Sequence, residues 1–202
     1  MRSRAAAGTL LNAGFKDVYN MEGGISAWHG MVAEGTPDSG RAYFASAENT
    51  EELVALAWIM ENGSRRFYSG VADILDDGES AWLFRDLTTA EDHHKESLLN
   101  VFTEMSGRQA DTNFPDSVFP DAADKDIMEG GMNVAKALEW IKGKNVVDAL
   151  ELSMAMEINA YDLYITMERE VKDGNSKKAF KVLADEEKQH LERLSSELEK
   201  NT

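Results

Sequence analysis

The chain contains no cysteine, and that one absence removes several chemistries together. Disulfides, thiolate metal sites, iron–sulfur centres and a cysteine nucleophile are all excluded. Proline is scarce as well, with three in 202 residues, at positions 37, 115 and 120, so the long stretches around them are free to be helical. No apolar run approaches the roughly 18 residues needed to cross a bilayer, and no signal-peptide pattern opens the chain. A soluble cytoplasmic protein is the expectation. Positive charge is in deficit: 21 Lys and Arg stand against 37 Asp and Glu, for a formal net charge of −16. That deficit argues against nucleic acid and anionic membrane as partners, since both need a basic face. It suits a protein that attracts cations, although a merely soluble acidic surface has the same composition.

What is present is enough apolar material, 43% of residues, for one sizeable domain or a domain plus a fragment. Residues 1–32 read as α/β: an alanine-rich helix closed by Gly14, a short strand "KDVYNM", then a turn and a short helix in "EGGISAWHGM". Residues 33–50 collect Gly, Pro, Ser and Asp and read as a linker. From Thr50 onward the apolar period is helical. Asn49 with Glu52 forms a candidate capping box. Helices are predicted over 51–75, 79–105, 134–141, 146–171 and 176–199, with a loop over 107–125.

The helical part repeats itself. An offset of 96 residues (157 less 61) carries Glu61 onto Glu157, Glu91 onto Glu187 and His94 onto His190 without a gap. The same shift carries Tyr68 onto Tyr164, Phe84 onto Phe180, Leu87 onto Leu183 and Asp77-Gly78 onto Asp173-Gly174. Shared turn and core residues need only a shared fold. A recurring lone Glu and a recurring Glu-x-x-His need a further reason.

A Glu and a His three apart project from one face of a helix. Leu56, Met60 and Tyr68 place Glu61 near the apolar stripe of its helix, and Leu87 and Leu98 do the same for Glu91 and His94. A carboxylate in a bundle core is strongly unfavourable unless it is paired or metal-bound. Two hairpins related by a pseudo-twofold would bring four Glu and two His to one centre, the constellation of di-iron and di-manganese carboxylate bundles. Hard carboxylates with one imidazole per ion suit iron or manganese, with zinc as the alternative. The competing reading is a lost or purely structural site.

These residues also carry a resemblance. "ALAWIMENGSRRFY", "TTAEDHHKESL", "ALELSMAMEINAYDLY" and "LADEEKQHLERL" resemble the rubrerythrin-like branch of the ferritin-like superfamily, over residues 50–200. The resemblance implies an antiparallel four-helix bundle over 51–202 with a long crossover between the second and third long helices. It implies two iron ions held by Glu61, Glu91, His94, Glu157, Glu187 and His190. It implies tyrosines Tyr68 and Tyr164 that hydrogen-bond ligand carboxylates; ordinary core tyrosine is the competing reading. The expected activity is oxidoreduction with peroxide or dioxygen, fed by an external redox protein. Metal storage, delivery or sensing without turnover is the alternative. Two departures stand out. Rubrerythrins carry a further ligand Glu three residues after the lone Glu of the third helix, where this chain has Ala160, with Ser64 as its repeat mate. They also carry a four-cysteine rubredoxin-type iron site, which this chain cannot form.

"RSRAAAGTLLNAGFKDVYNMEGGISAWHGMVAEG" resembles the C-terminal third of a rhodanese domain, so residues 1–36 are expected to be a partial rhodanese-like segment, joined by a linker over 37–50. The rhodanese cysteine would fall just before this segment, so sulfur transfer by the chain is excluded. The gene product is expected to be longer, with Met1 an internal start, which would make this chain the metal-binding half of a rhodanese fusion. An incomplete domain leaves apolar surface to cover, and a homodimer is expected on that ground. Among the remaining candidates His93 points about 100° away from His94 and reads as a surface histidine. His29 reads as structural, and Trp58, Trp82 and Trp140 as core or helix-interface residues. The ten methionines read as core filler. "MEGG" occurs at 21–24 and again at 128–131, and reads as coincidence.

Overall fold

The computed structural model describes residues 47, 49–75, 78–120, 126–172 and 174–201. The rhodanese-like segment expected over 1–36, and the linker apart from 47, 49 and 50, lie outside the described residues. Helix α1 spans Thr50–Leu75 and α2 spans Glu79–Ser106. The crossover then carries a two-residue strand β1 (Ile127–Met128), a 3-10 turn (Glu129–Gly131), a strand β2 (Met132–Asn133) and helix α3 (Val134–Ile141). Helix α4 spans Val146–Glu170 and α5 spans Gly174–Asn201. The five helices predicted from Thr50 onward are all present, with ends displaced by at most two residues. None of the described helices is long and apolar enough to cross a membrane.

Local chemistry sets the ends. The Glu52 amide donates to the Asn49 side chain at 3.0 Å, and Asn49 donates in turn to the Glu52 carboxylate at 2.7 Å. Asn145 and Asp148 form a reciprocal capping box at the start of α4. Gly107 closes α2 with φ 68°, and its N–H reaches back to Thr103. Three residues separate α1 from α2, and three separate α4 from α5, so each pair folds back on itself as an antiparallel hairpin. β1 and β2 pair antiparallel, Met128 opposite Met132.

The interior is mainly two apolar clusters. One gathers Phe67, Tyr68, Phe84, Leu87, Met156 and Ile141; the other gathers Val54, Phe102, Tyr164, Met167, Phe180 and Leu183. Methionines 60, 128, 156 and 167 are buried, as core filler should be. Trp82 corrects an expectation: it is 67% exposed, with Arg85 over its ring. The buried stripe of α2 runs through Ala81, Phe84 and Leu87, and residue 82 lies off that stripe. Trp58 and Trp140 are partly buried against the clusters, as an interface position requires.

Candidate metal centre

The two clusters meet at a polar centre. Glu61 projects from α1, Glu91 and His94 from α2, Glu157 from α4, and Glu187 and His190 from α5. None of the six is more than 4% exposed. The repeat becomes a spatial twofold here. The His94 and His190 rings stack with centroids 5.2 Å apart. His94 Nδ1 lies 3.2 Å from both Glu61 and Glu91. His190 Nδ1 lies 3.4 Å from Glu157 and 3.2 Å from Glu187. Each lone Glu thus sits with its own hairpin's imidazole.

The tyrosines do the opposite and reach across. Tyr68 of the first hairpin donates to Glu157 of the second at 2.6 Å, and Tyr164 of the second donates to Glu61 of the first. Each ring rests on the next repeated aromatic, Tyr68 on Phe84 and Tyr164 on Phe180. His93, one residue before His94, is exposed, as the helical turn dictates.

The hydrogen bonding of this centre is incomplete. Both Glu91 oxygens, one oxygen of Glu157 and one of Glu187 are buried without a hydrogen-bond partner. His94 Nδ1 faces three carboxylates at once, the third being Glu187 at 3.1 Å. One ring proton can satisfy only one of them. A cation would satisfy several, so the donor set fits a metal better than it fits a proton network. Three sets of ligand atoms lie within 4.8 Å of one another: Glu61, Glu91 and His94; Glu91, Glu157 and His190; and His94, Glu187 and His190. On the outer side of His94, Nε2 lies 3.4 Å from Glu186, which can hold the ring with Nδ1 inward.

Electrostatics carry the same message. Burial, and then the Glu187 charge, pushes the Glu157 carboxyl up to about 8. Burial and then Glu61 raise Glu91 well above the usual carboxylate range. For His190, burial opposes the charged form, but Glu157 and Glu187 outweigh it and lift the imidazole to about 11. Burial likewise opposes His94, whose pKa is raised by Glu187, Glu61 and Glu91. Glu187 is the exception: burial would raise it, yet the facing histidines hold it well below the normal range. Tyr68 and Tyr164 are raised by burial and then by Glu157 and Glu61 respectively, so both phenols stay neutral donors. In the metal-free centre, protons stand where cations would.

One buried carboxylate at this centre was missed by sequence reasoning. Glu129, in the crossover turn, is 1% exposed and forms a fourth such set with Glu61 and Glu187. It belongs to the second "MEGG". Two signals could have found it: an acid followed by paired glycines in the crossover, and a glycine in the middle of α1, two residues after Glu61. The family model described as Rubrerythrin matches residues 52–198. Among curated proteins and among solved structures, nothing matches the chain.

Proposed function

Because the chain belongs to the rubrerythrin family, we propose that it is a dinuclear non-haem iron protein that reacts with peroxide or dioxygen and draws its electrons from an external redox protein. Manganese would fit the same donors. The observation that carries this reading is the set of buried carboxylate oxygens left without partners around two stacked imidazoles. Glu61, Glu91 and His94 would hold one ion; Glu157, His190 and Glu91 the other. Glu187, close to both imidazoles, would complete the shell. When bound, iron would supply a redox couple and Lewis acidity for the oxidant.

The rest falls to the protein. Tyr68 and Tyr164 fix the rotamers of the two lone glutamates by donating across the hairpin interface. Glu186 places a carboxylate 3.4 Å from His94 Nε2 and would favour the ring orientation that keeps Nδ1 toward the centre. Apolar clusters on both sides exclude water, which strengthens every charge interaction inside.

The test starts with elemental analysis of protein purified without chelator. We expect about two iron or manganese ions per chain, as in other such bundles, falling below about 0.2 in Glu61→Ala and His190→Ala, which remove ligands. Iron-dependent peroxide consumption with a reduced redox dye then separates turnover from simple binding. Wild-type protein that stays empty when iron is added under reducing conditions would overturn the proposal.

A further inference from the structure

Every ligand named above has a mate under the 96-residue shift, but Glu129 has none, because the crossover occurs once in the chain. Its carboxylate is nonetheless placed with care. Glu129 Oε2 accepts a hydrogen bond from Ser64 Oγ at 3.2 Å, and the Glu129 N–H donates to the same Ser64 Oγ at 3.3 Å. The second oxygen, Oε1, is buried with no hydrogen-bond partner. One carboxylate oxygen lies within 4.8 Å of ligand atoms of Glu61 and Glu187.

The backbone around it explains how a loop residue reaches the middle of a bundle. A side chain at Gly63 would meet the Ile127 carbonyl oxygen at 1.9 Å, so β1 presses on α1 only because residue 63 has no Cβ. Gly130 and Gly131 follow Glu129 with φ 76° and 74°, a pair of left-handed residues that turns the chain back at once. On the far side the turn abuts Asn159, the repeat mate of Gly63: a Cβ on Gly130 would lie 2.8 Å from the Asn159 amide nitrogen. The turn is therefore wedged between α1 and α4 at positions related by the twofold. Only α1 offers it a hydroxyl, since the mate of Ser64 is Ala160.

A purely structural hairpin could have ended on an apolar residue here. It ends instead on a carboxylate that has one unpartnered oxygen and that places an oxygen within 4.8 Å of two other carboxylates. Like charges brought together in a dry interior repel unless a cation joins them. We propose that Glu129 is a seventh ligand of the dinuclear centre, supplied by the crossover to an ion shared with Glu61 and Glu187, and that it makes the two metal positions inequivalent. Ser64 is its positioning residue. This inference rests on the dinuclear reading above.

The test is titration of the metal-free protein with Co(II) alone, followed by calorimetry and by the visible d–d bands, which report the ligand set. Wild type should take up two ions with distinguishable affinities and spectra. Glu129→Gln keeps the shape and removes the ligand charge; it should weaken one ion on the order of 10- to 100-fold, change that ion's bands, and leave the other ion and the circular dichroism as they were. Ser64→Ala, which keeps the carboxylate and loses its tether, should weaken the same ion by a smaller factor. Unchanged affinity and bands for both ions, in whichever variant folds, overturns the inference. A wild type that binds no Co(II) sinks the dinuclear reading itself, a result distinct from two ions bound equally well with and without Glu129.

Discussion

A buried carboxylate has few ways to be tolerated: a proton, a donor, or a cation. Glu61 and Glu157 each receive a phenolic donor from the opposite hairpin; Glu61 turns its other oxygen to His94, whereas one Glu157 oxygen meets both Tyr68 and His190 and the other has no hydrogen-bond partner. Replacing Tyr164 by Phe keeps the ring against Phe180 and removes only the donated bond. We expect the fold to survive, because the packing is conserved, and metal affinity to drop by about 10-fold or more, as is typical when a residue that orients a ligand is lost. Equilibrium titration checks this. Unchanged affinity would reduce Tyr164 to packing alone. The sequence pointed to both tyrosines through the repeat, yet it did not say which glutamate each would serve. Donor and acceptor are 103 residues apart in one case and 89 in the other, and no local pattern spans that distance.

The helices were legible because their causes are local. Asn49, Asn133 and Asn145 cap the helices they precede, and the apolar period does the rest. The crossover hairpin was not legible: strands of two residues give no alternation to read. Its packing makes a sharp prediction about glycine. In a helix interior, Gly→Ala ordinarily gains roughly 1 kcal/mol. At Gly63 that gain meets a carbonyl oxygen of the crossover backbone, which cannot rotate away. Gly63→Ala should therefore destabilise the fold by about 1–3 kcal/mol net, in the range of overpacked cores. Gly70→Ala meets only the flexible end of Leu138 and should cost much less. Urea unfolding of the two variants compares them directly; equal midpoints would show that the hairpin is free to move off α1. Trp82 teaches the converse lesson, since an aromatic residue in a helix packs inward only if its turn position does.

The assembled chain joins two hairpins through a centre to which all four long helices contribute, so its stability should depend on what fills that centre. Without metal, Glu157 keeps its proton up to about pH 8, whereas an ordinary carboxyl releases it near 4.5. Unfolding between those values releases a proton. The stability tied to that carboxyl is complete below 4.5 and fades as pH rises through 8. His190, lifted from 6.5 to about 11, acts in the same direction: its contribution is complete below 6.5 and is lost progressively as pH rises through 11. A divalent ion takes the place of these protons and binds better as they leave. The rise in Tm on adding Mn(II) should thus be larger at pH 8 than at pH 6. An ion at 100 times its Kd adds roughly 2.7 kcal/mol per site, well above the error of a melting curve. A Tm that ignores Mn(II) at both pH values would mean the folded chain does not bind it.

Helix positions, the 96-residue repeat and the six buried Glu and His residues could all be read from the order of residues alone. Each depends on spacing within one helix, or on a pattern that occurs twice and so betrays itself. The arrival of Glu129 beside Ser64, the exchange of tyrosines between hairpins and the inward turn of both Nδ1 atoms could not. Those features occur once or join distant segments, and they exist only when packing brings together backbones that the sequence holds far apart.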